Sequence, residues 1–190
     1  MASEGRYLGE KLFLEHIGYS TTIIAFYLLP LLLFKKENLY NLIKNLFLSR
    51  KNYYLIFLFL IYIFYLLNFF DFNEQLILGK GYIHKVGIIL FENPFTRELF
   101  TYFSFFISWI IILLYVDKNF KDIFIIFYFF ILSVILWPVA QEYFDPLILL
   151  ISFTFFNSKI FISYKNSIIL FCYLLFFLIS SNFYYSNLLG

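Results

Sequence analysis

Charge is what this sequence has least of. Asp, Glu, Lys and Arg make up 14% of its 190 residues and hydrophobic residues 63%, whereas a soluble domain carries about 25% charged and 45 to 50% apolar residues. A soluble fold of this length leaves roughly 30% of its surface in water, and this chain lacks the side chains to wet it. A water-soluble globular domain is thereby excluded, and lipid must be the solvent. The single cysteine, Cys172, excludes an intramolecular disulfide; it lies within an apolar run and reads as inert packing. With only His16 and His84 as histidines, a histidine-based metal site has little support, and neither a divalent cation nor any other cofactor is expected. The net charge of +2, with basic residues scattered over several segments, speaks against a nucleic-acid partner. There is no P-loop, dinucleotide fingerprint, HExxH or GxSxG. Ala, Gly and Val are scarce while Phe, Tyr, Ile, Leu, Asn and Lys dominate, the imprint of an AT-rich genome, so composition alone says little about function.

What is present is a series of long apolar runs. A helix rises about 1.5 Å per residue, so a hydrocarbon core of about 30 Å needs close to 20 apolar residues, with about 17 as the lower limit. Five runs meet that test: 17–34, 53–70, 99–116, 123–140 and 168–185, none containing Asp, Glu, Lys or Arg. A sixth, 143–157, is short, and is expected either to cross where the bilayer is thinned or to sit in the bundle as a partial helix. The fold class expected is therefore all-α, a polytopic transmembrane bundle of about six spans forming a single domain over residues 1–190. No signal peptide is read in Met1 to Glu15, so insertion is expected to rely on the first span. The first connecting loop, 35–52, holds Lys35, Lys36, Lys44, Arg50 and Lys51 against Glu37, which places it in the cytoplasm by the positive-inside rule. Six crossings then put nine basic residues inside and five outside, whereas five crossings give seven and seven. Segments 71–98 and 141–145 fall on the external face. Tyr82, Tyr143 and Tyr184 are placed as interface anchors would be.

Two external segments carry the candidate chemistry. Pro138 and Pro146 break the helix pair where Gln141, Glu142, Tyr143 and Asp145 cluster. Asp145 also reads as an N-cap with Pro146 at the first helical position, so capping and ligand contact stand side by side. The other segment carries Lys80, His84, Lys85 and Arg97, with Tyr82 to Phe91 apolar enough to lie in the interface as a short helix. These cations suit a phosphate; they equally suit snorkelling to lipid headgroups. Gly79, Lys80 and Gly81 read as a flexible bend, and Pro30 as a tolerated kink.

The run Gln141, Glu142, Tyr143, Phe144, Asp145, Pro146 closes a Trp-containing span. It follows a long external loop and an earlier span carrying His16, Ile17, Gly18, Tyr19 and then Phe26, Tyr27, Leu28, Leu29, Pro30. Over residues 8 to 157 this arrangement resembles the C-terminal half of GT-C class polytopic glycosyltransferases, and within them the lipid-linked α-1,2-glucosyltransferase family of the N-glycan pathway and its bacterial relatives. The resemblance implies transfer of a sugar from a polyprenyl-phosphate donor on the external face. Lys80, His84, Lys85 and Arg97 would stabilise the phosphate leaving group, and Gln141, Glu142 and Tyr143 would bind donor or acceptor. One departure stands out: the acidic motif that GT-C enzymes carry after their first span has no counterpart, since Glu4, Glu10 and Glu15 precede any span. The chain is therefore expected to be the rear part of such an enzyme, with its catalytic residues unassigned. The alternatives are a non-catalytic membrane subunit or scaffold packed against other membrane subunits and, ranked below it, a transporter, since no span carries an ionisable residue. Membrane lipids are the partner common to all three.

Overall fold

A computed structural model describes residues 12–35, 37–70, 80–116, 120–135, 139–141, 144, 147–156 and 163–189, with backbone alone at 120, 185 and 187–189. Among them regular structure is helical: α1 (His16–Leu32), α2 (Leu39–Leu48), α3 (Arg50–Phe69), α4 (Gly81–Leu90), α5 (Pro94–Tyr115), α6 (Phe120–Ile135), α7 (Leu147–Thr154) and α8 (Tyr164–Leu189). Each of the six apolar runs coincides with a helix, namely α1, α3, α5, α6, α7 and α8. Helix α2 forms inside the segment expected to be a connecting loop. Arg50–Phe69, Pro94–Tyr115 and Tyr164–Tyr184 are long and apolar enough to cross a bilayer, which makes this a helical membrane protein.

Helix α1 is the axis of the bundle. All its residues except Ile17 and Leu29 are buried, packed on α4, α5, α6, α7 and α8. Its three hydroxyl residues need no partner from another helix, because Ser20 Oγ and Thr21 Oγ1 donate to the carbonyls of His16 and Ile17 and Thr22 Oγ1 to that of Tyr19, each at 2.7 Å. Gly18 lets α5 close on it: a Cβ there would meet the Phe105 ring at 2.2 Å. Such small-residue contacts replace the hydrophobic drive that lipid removes. The outer helices are the reverse case. No described side chain of α8 is buried, and α3 buries only Phe59, Ile63 and Leu66.

Contacts with α1 give each helix a direction. Tyr62 of α3 donates from its phenol to the Leu14 carbonyl at 2.8 Å and accepts the Gly18 N–H at 2.9 Å, a second partner for two backbone groups already bonded within the first turn of α1. Trp109 of α5 donates to the Leu55 carbonyl at 3.2 Å and stacks on Phe59 at 4.9 Å. His16 Nδ1 donates to the Ser133 carbonyl of α6 at 3.2 Å. Helices α1 and α5 thus run one way, α3, α6 and α8 the other.

Two segments go only halfway. Helix α4 begins against Ile23 and Phe26, the middle of α1, and ends near Phe100 in the first turns of α5. After α6 reaches the start of α1, residues 139–141 lie back at mid-depth, where Gln141 meets Tyr27. Helix α7 leaves from there and ends with Phe156 packed on Tyr115, at the finish of α5. The helix of the sixth run, α7, has eight residues and rises about 12 Å, less than a hydrocarbon core by itself.

Pro30 lies inside α1 and has no N–H, so the carbonyl four residues earlier, at Phe26, loses its helical donor. Tyr173 of α8 supplies one, donating from its phenol to that oxygen at 3.0 Å. The peripheral helix is pinned to the axis where the axis is defective. Tyr173→Phe is expected to lower unfolding free energy by about 1 kcal/mol, and by much less in a Pro30→Ala background where the helix supplies its own donor. A double-mutant cycle by detergent unfolding measures the coupling; additive losses would contradict this assignment.

Candidate functional site

The site grows from the way α4 starts. Lys80 and Gly81 adopt positive φ, 61° and 76°, a left-handed bend that costs a lysine about 1 kcal/mol. Gly81 is required twice over, since a Cβ there would also stand 2.7 Å from Ile23 Cγ1. The bend is held from the far side of the sequence. Lys80 N–H donates to the Val139 carbonyl at 2.7 Å. Gln141 Oε1 accepts the Tyr82 N–H at 3.0 Å and Gln141 Nε2 donates to the Tyr27 phenol at 3.0 Å. Gln141 thereby acts as an N-cap supplied in trans, satisfying a first-turn donor of α4 that no local side chain caps.

This bend carries Lys80 and His84 inward. Both are buried, whereas the sequence placed them on an outer rim; the physical reason is that α4 descends to mid-depth instead of lying flat on the interface. Lys80 Nζ sits 5.4 Å over the Tyr19 ring, and the His84 ring meets Tyr19 edge-on at 5.3 Å. Thr22, Thr101 and Ser104 complete the wall around His84 and Tyr19.

The remaining cations point elsewhere. Arg97 donates from Nε to the Phe91 carbonyl and from Nη2 to the Glu92 carbonyl at 3.1 Å, closing the C-terminal end of α4 where a cation also favours the helix dipole. Lys85 faces α8, its Nζ 5.6 Å over the Tyr184 ring. Tyr82, expected as an interface anchor, instead donates its phenol to Ser180 Oγ at 3.0 Å. The four basic residues therefore cluster about one helix but face three ways. Glu142, Tyr143 and Asp145 lie outside the described residues, as do Trp137, Pro138 and Pro146 with the capping reading attached to them. Among the described residues no group of His, Cys, Asp and Glu is arranged to hold a metal ion.

Glu15 belongs to this neighbourhood. Its Oε2 is buried with no hydrogen-bond partner among the described residues. Burial raises its pKa above the ordinary carboxylate value, partly offset by a backbone hydrogen bond and by the charge of Lys80. Nothing in its local sequence marked it out; its neighbours Lys80, Tyr62 and Tyr102 come from distant segments. Lys80 and His84 thus share the inner site, both against the Tyr19 ring.

Beside the polar group runs an apolar groove of about 350 Å³ between α1, α4, α5 and α8, walled by Phe26, Tyr82, Val86, Ile111, Tyr173 and Phe177 among others. The face of α4 that lines it also carries Lys85 toward α8. Comparison with known proteins adds nothing to this geometry: no protein-family model, no curated protein and no solved structure matches the chain.

Proposed function

We propose that the chain forms part of a membrane-embedded glycosyltransferase that takes its sugar from a polyprenyl-phosphate carrier, acting at the end of the bundle where α1 begins. The observation that carries this reading is the adjoining of the apolar groove to the cation-bearing helix α4. A lipid-linked donor has a long apolar tail and an anionic head, and it needs an apolar seat next to fixed positive charge. Val86 and Phe177 wall the groove. Lys85 stands on the same helix toward α8, and Lys80 stands at its buried inner turn. Glu15, a buried carboxyl with a raised pKa, is suited to take a proton from an acceptor hydroxyl, since a base works best when its pKa approaches the ambient pH. Gln141 acts here as a positioning residue, because its hydrogen bonds go to Tyr82 and Tyr27.

In this reading the chain crosses six times, α7 and the segment before it together making one crossing. The end carrying Lys44, Arg50, Lys51, Lys121 and Lys165 faces the cytoplasm and the end carrying Glu15, Glu92 and Glu98 faces out.

A second reading has one observation in its favour. The halfway segments meet at mid-depth with Lys80 and His84 buried beside them, and interrupted helices with interior ionisable groups also build solute pathways.

The test is binding and transfer by the purified protein in proteoliposomes. The transferase reading expects retention of a polyprenyl phosphate, lost when Val86→Trp fills the groove and weakened about tenfold or more by Lys85→Ala with Lys80→Ala. Where sugar transfer is measurable, Glu15→Gln is expected to slow it by about a hundredfold or more. No retention of the carrier, together with counter-flow of a water-soluble solute, would favour the pathway reading instead.

A further inference from the structure

Helix α2 is a ten-residue helix between α1 and α3 that contributes only Leu46 to the buried core. Its start is fixed by Asn38, whose side chain accepts the Tyr40 N–H at 3.3 Å. Its finish is a corner: Ser49 is extended, with φ −88° and ψ 116°, and α3 begins at the next residue. Asn52 of α3 reaches back across the corner and donates to the Leu46 carbonyl at 3.2 Å, tying the two helices at that angle.

Around the axis of α2 the residues fall into three sectors at helical spacing. Leu42 and Leu46, four apart, turn toward the bundle, where α2 packs on α3 and α5. Asn41, Lys44 and Asn45 make a polar, exposed side, interrupted in the last turn by Leu48, which is 70% exposed. Tyr40, Ile43 and Phe47 make a third side that is apolar yet 71%, 40% and 49% exposed. A helix with bundle on one side, polar groups on another and bare aromatic and aliphatic groups on the third fits the plane where hydrocarbon meets water.

The charges say which lipid. Lys44 is one turn from both Tyr40 and Phe47, so it stands on the border of the apolar and polar sectors, at the depth of phosphate groups. Arg50, at the corner, is exposed as well. Lys121 and Lys165, in the first turns of α6 and α8, are exposed at the same end of the bundle, where among the described residues the exposed acid is Glu37. Lys35 at this end is otherwise engaged, donating to the Leu114 carbonyl at 3.1 Å and to that of Tyr115 at the finish of α5. Beyond the corner the apolar side continues into α3, whose Tyr53, Tyr54 and Phe57 are more than half exposed.

We infer that α2 is an interfacial helix that seats on the headgroup layer of one leaflet and selects anionic phospholipid, with Tyr40, Ile43 and Phe47 in the acyl boundary and Lys44 and Arg50 on the phosphates. The inference does not rest on the transferase reading. A basic residue near an anionic surface is worth about fivefold in lipid affinity, so the pair selects anionic over zwitterionic lipid by an order of magnitude.

The experiment uses the full chain with Cys172→Ser and single cysteines at Ile43, Phe47, Asn41 or Asn45, each carrying an environment-sensitive fluorophore, in vesicles of phosphatidylcholine with or without about 30% phosphatidylglycerol. Labels at Ile43 and Phe47 are expected to be quenched by spin labels on the acyl chains and those at Asn41 and Asn45 by aqueous iodide. Native mass spectrometry should show retained phosphatidylglycerol, reduced about tenfold or more in Lys44→Gln with Arg50→Gln, two exposed changes that leave the bundle packing intact. Iodide quenching at all four positions would overturn the inference, as would Ile43 and Phe47 protected from both quenchers, the signature of a protein partner on that face. Equal retention of phosphatidylglycerol by the double variant would overturn the selectivity.

Discussion

Inside an apolar bundle every backbone N–H and C=O must find a partner within the protein, because lipid offers none. The architecture follows from how this chain meets that demand where its helices break. The Phe26 carbonyl, stranded by Pro30, is taken by Tyr173. At the start of α1, Tyr62 adds a second bond to the Leu14 carbonyl and the Gly18 N–H. The finish of α5 is taken by Lys35, and the start of α4 by Gln141 and the Val139 carbonyl. Each of these bonds joins segments distant in sequence, so each also fixes one helix against another. Apolar packing holds the bundle together; these polar pins decide its register.

The same demand explains why polar chemistry collects around α4. A helix that starts at mid-depth brings its first turn, and whatever residues precede it, into the interior. Lys80 arrives there through a left-handed bend and shelters its ammonium over the Tyr19 face, an interaction that strengthens once water is removed. His84, one turn further on, meets the same ring edge-on.

Much of the fold was legible in the amino-acid pattern. Runs near the length of a bilayer core became helices because nothing in them favours another outcome, and 143–157 was recognisably too short to be an ordinary span. What escaped the pattern was depth. The segment holding Tyr82 to Phe91 has the composition of a surface-lying helix, and only the complement formed by Val139, Gln141 and Ile23 draws it inward. Glu15 looked like one of several unremarkable acids ahead of the first span, because its neighbours Tyr62, Lys80 and Tyr102 are remote in the sequence. Gln141 was read as an amide in a broken helix pair, and in the structure it holds backbone and phenol, a role no local signal encodes. Helix α2 was read through its lysines as a connecting loop, although Leu39, Leu42, Ile43 and Leu46 already carry the helical period.

The bond between Gln141 and Tyr82 spans 59 positions, and this sets an order of assembly. A ribosome adding roughly 5 to 20 residues per second delivers Gln141 about 3 to 12 s after Tyr82. During that interval the left-handed bend at Lys80 lacks both of its clamps, and α5 and α6 are made before the clamp exists. The final shape of α4 is therefore a late event in biogenesis, completed only when the chain between α6 and α7 turns back into the bundle.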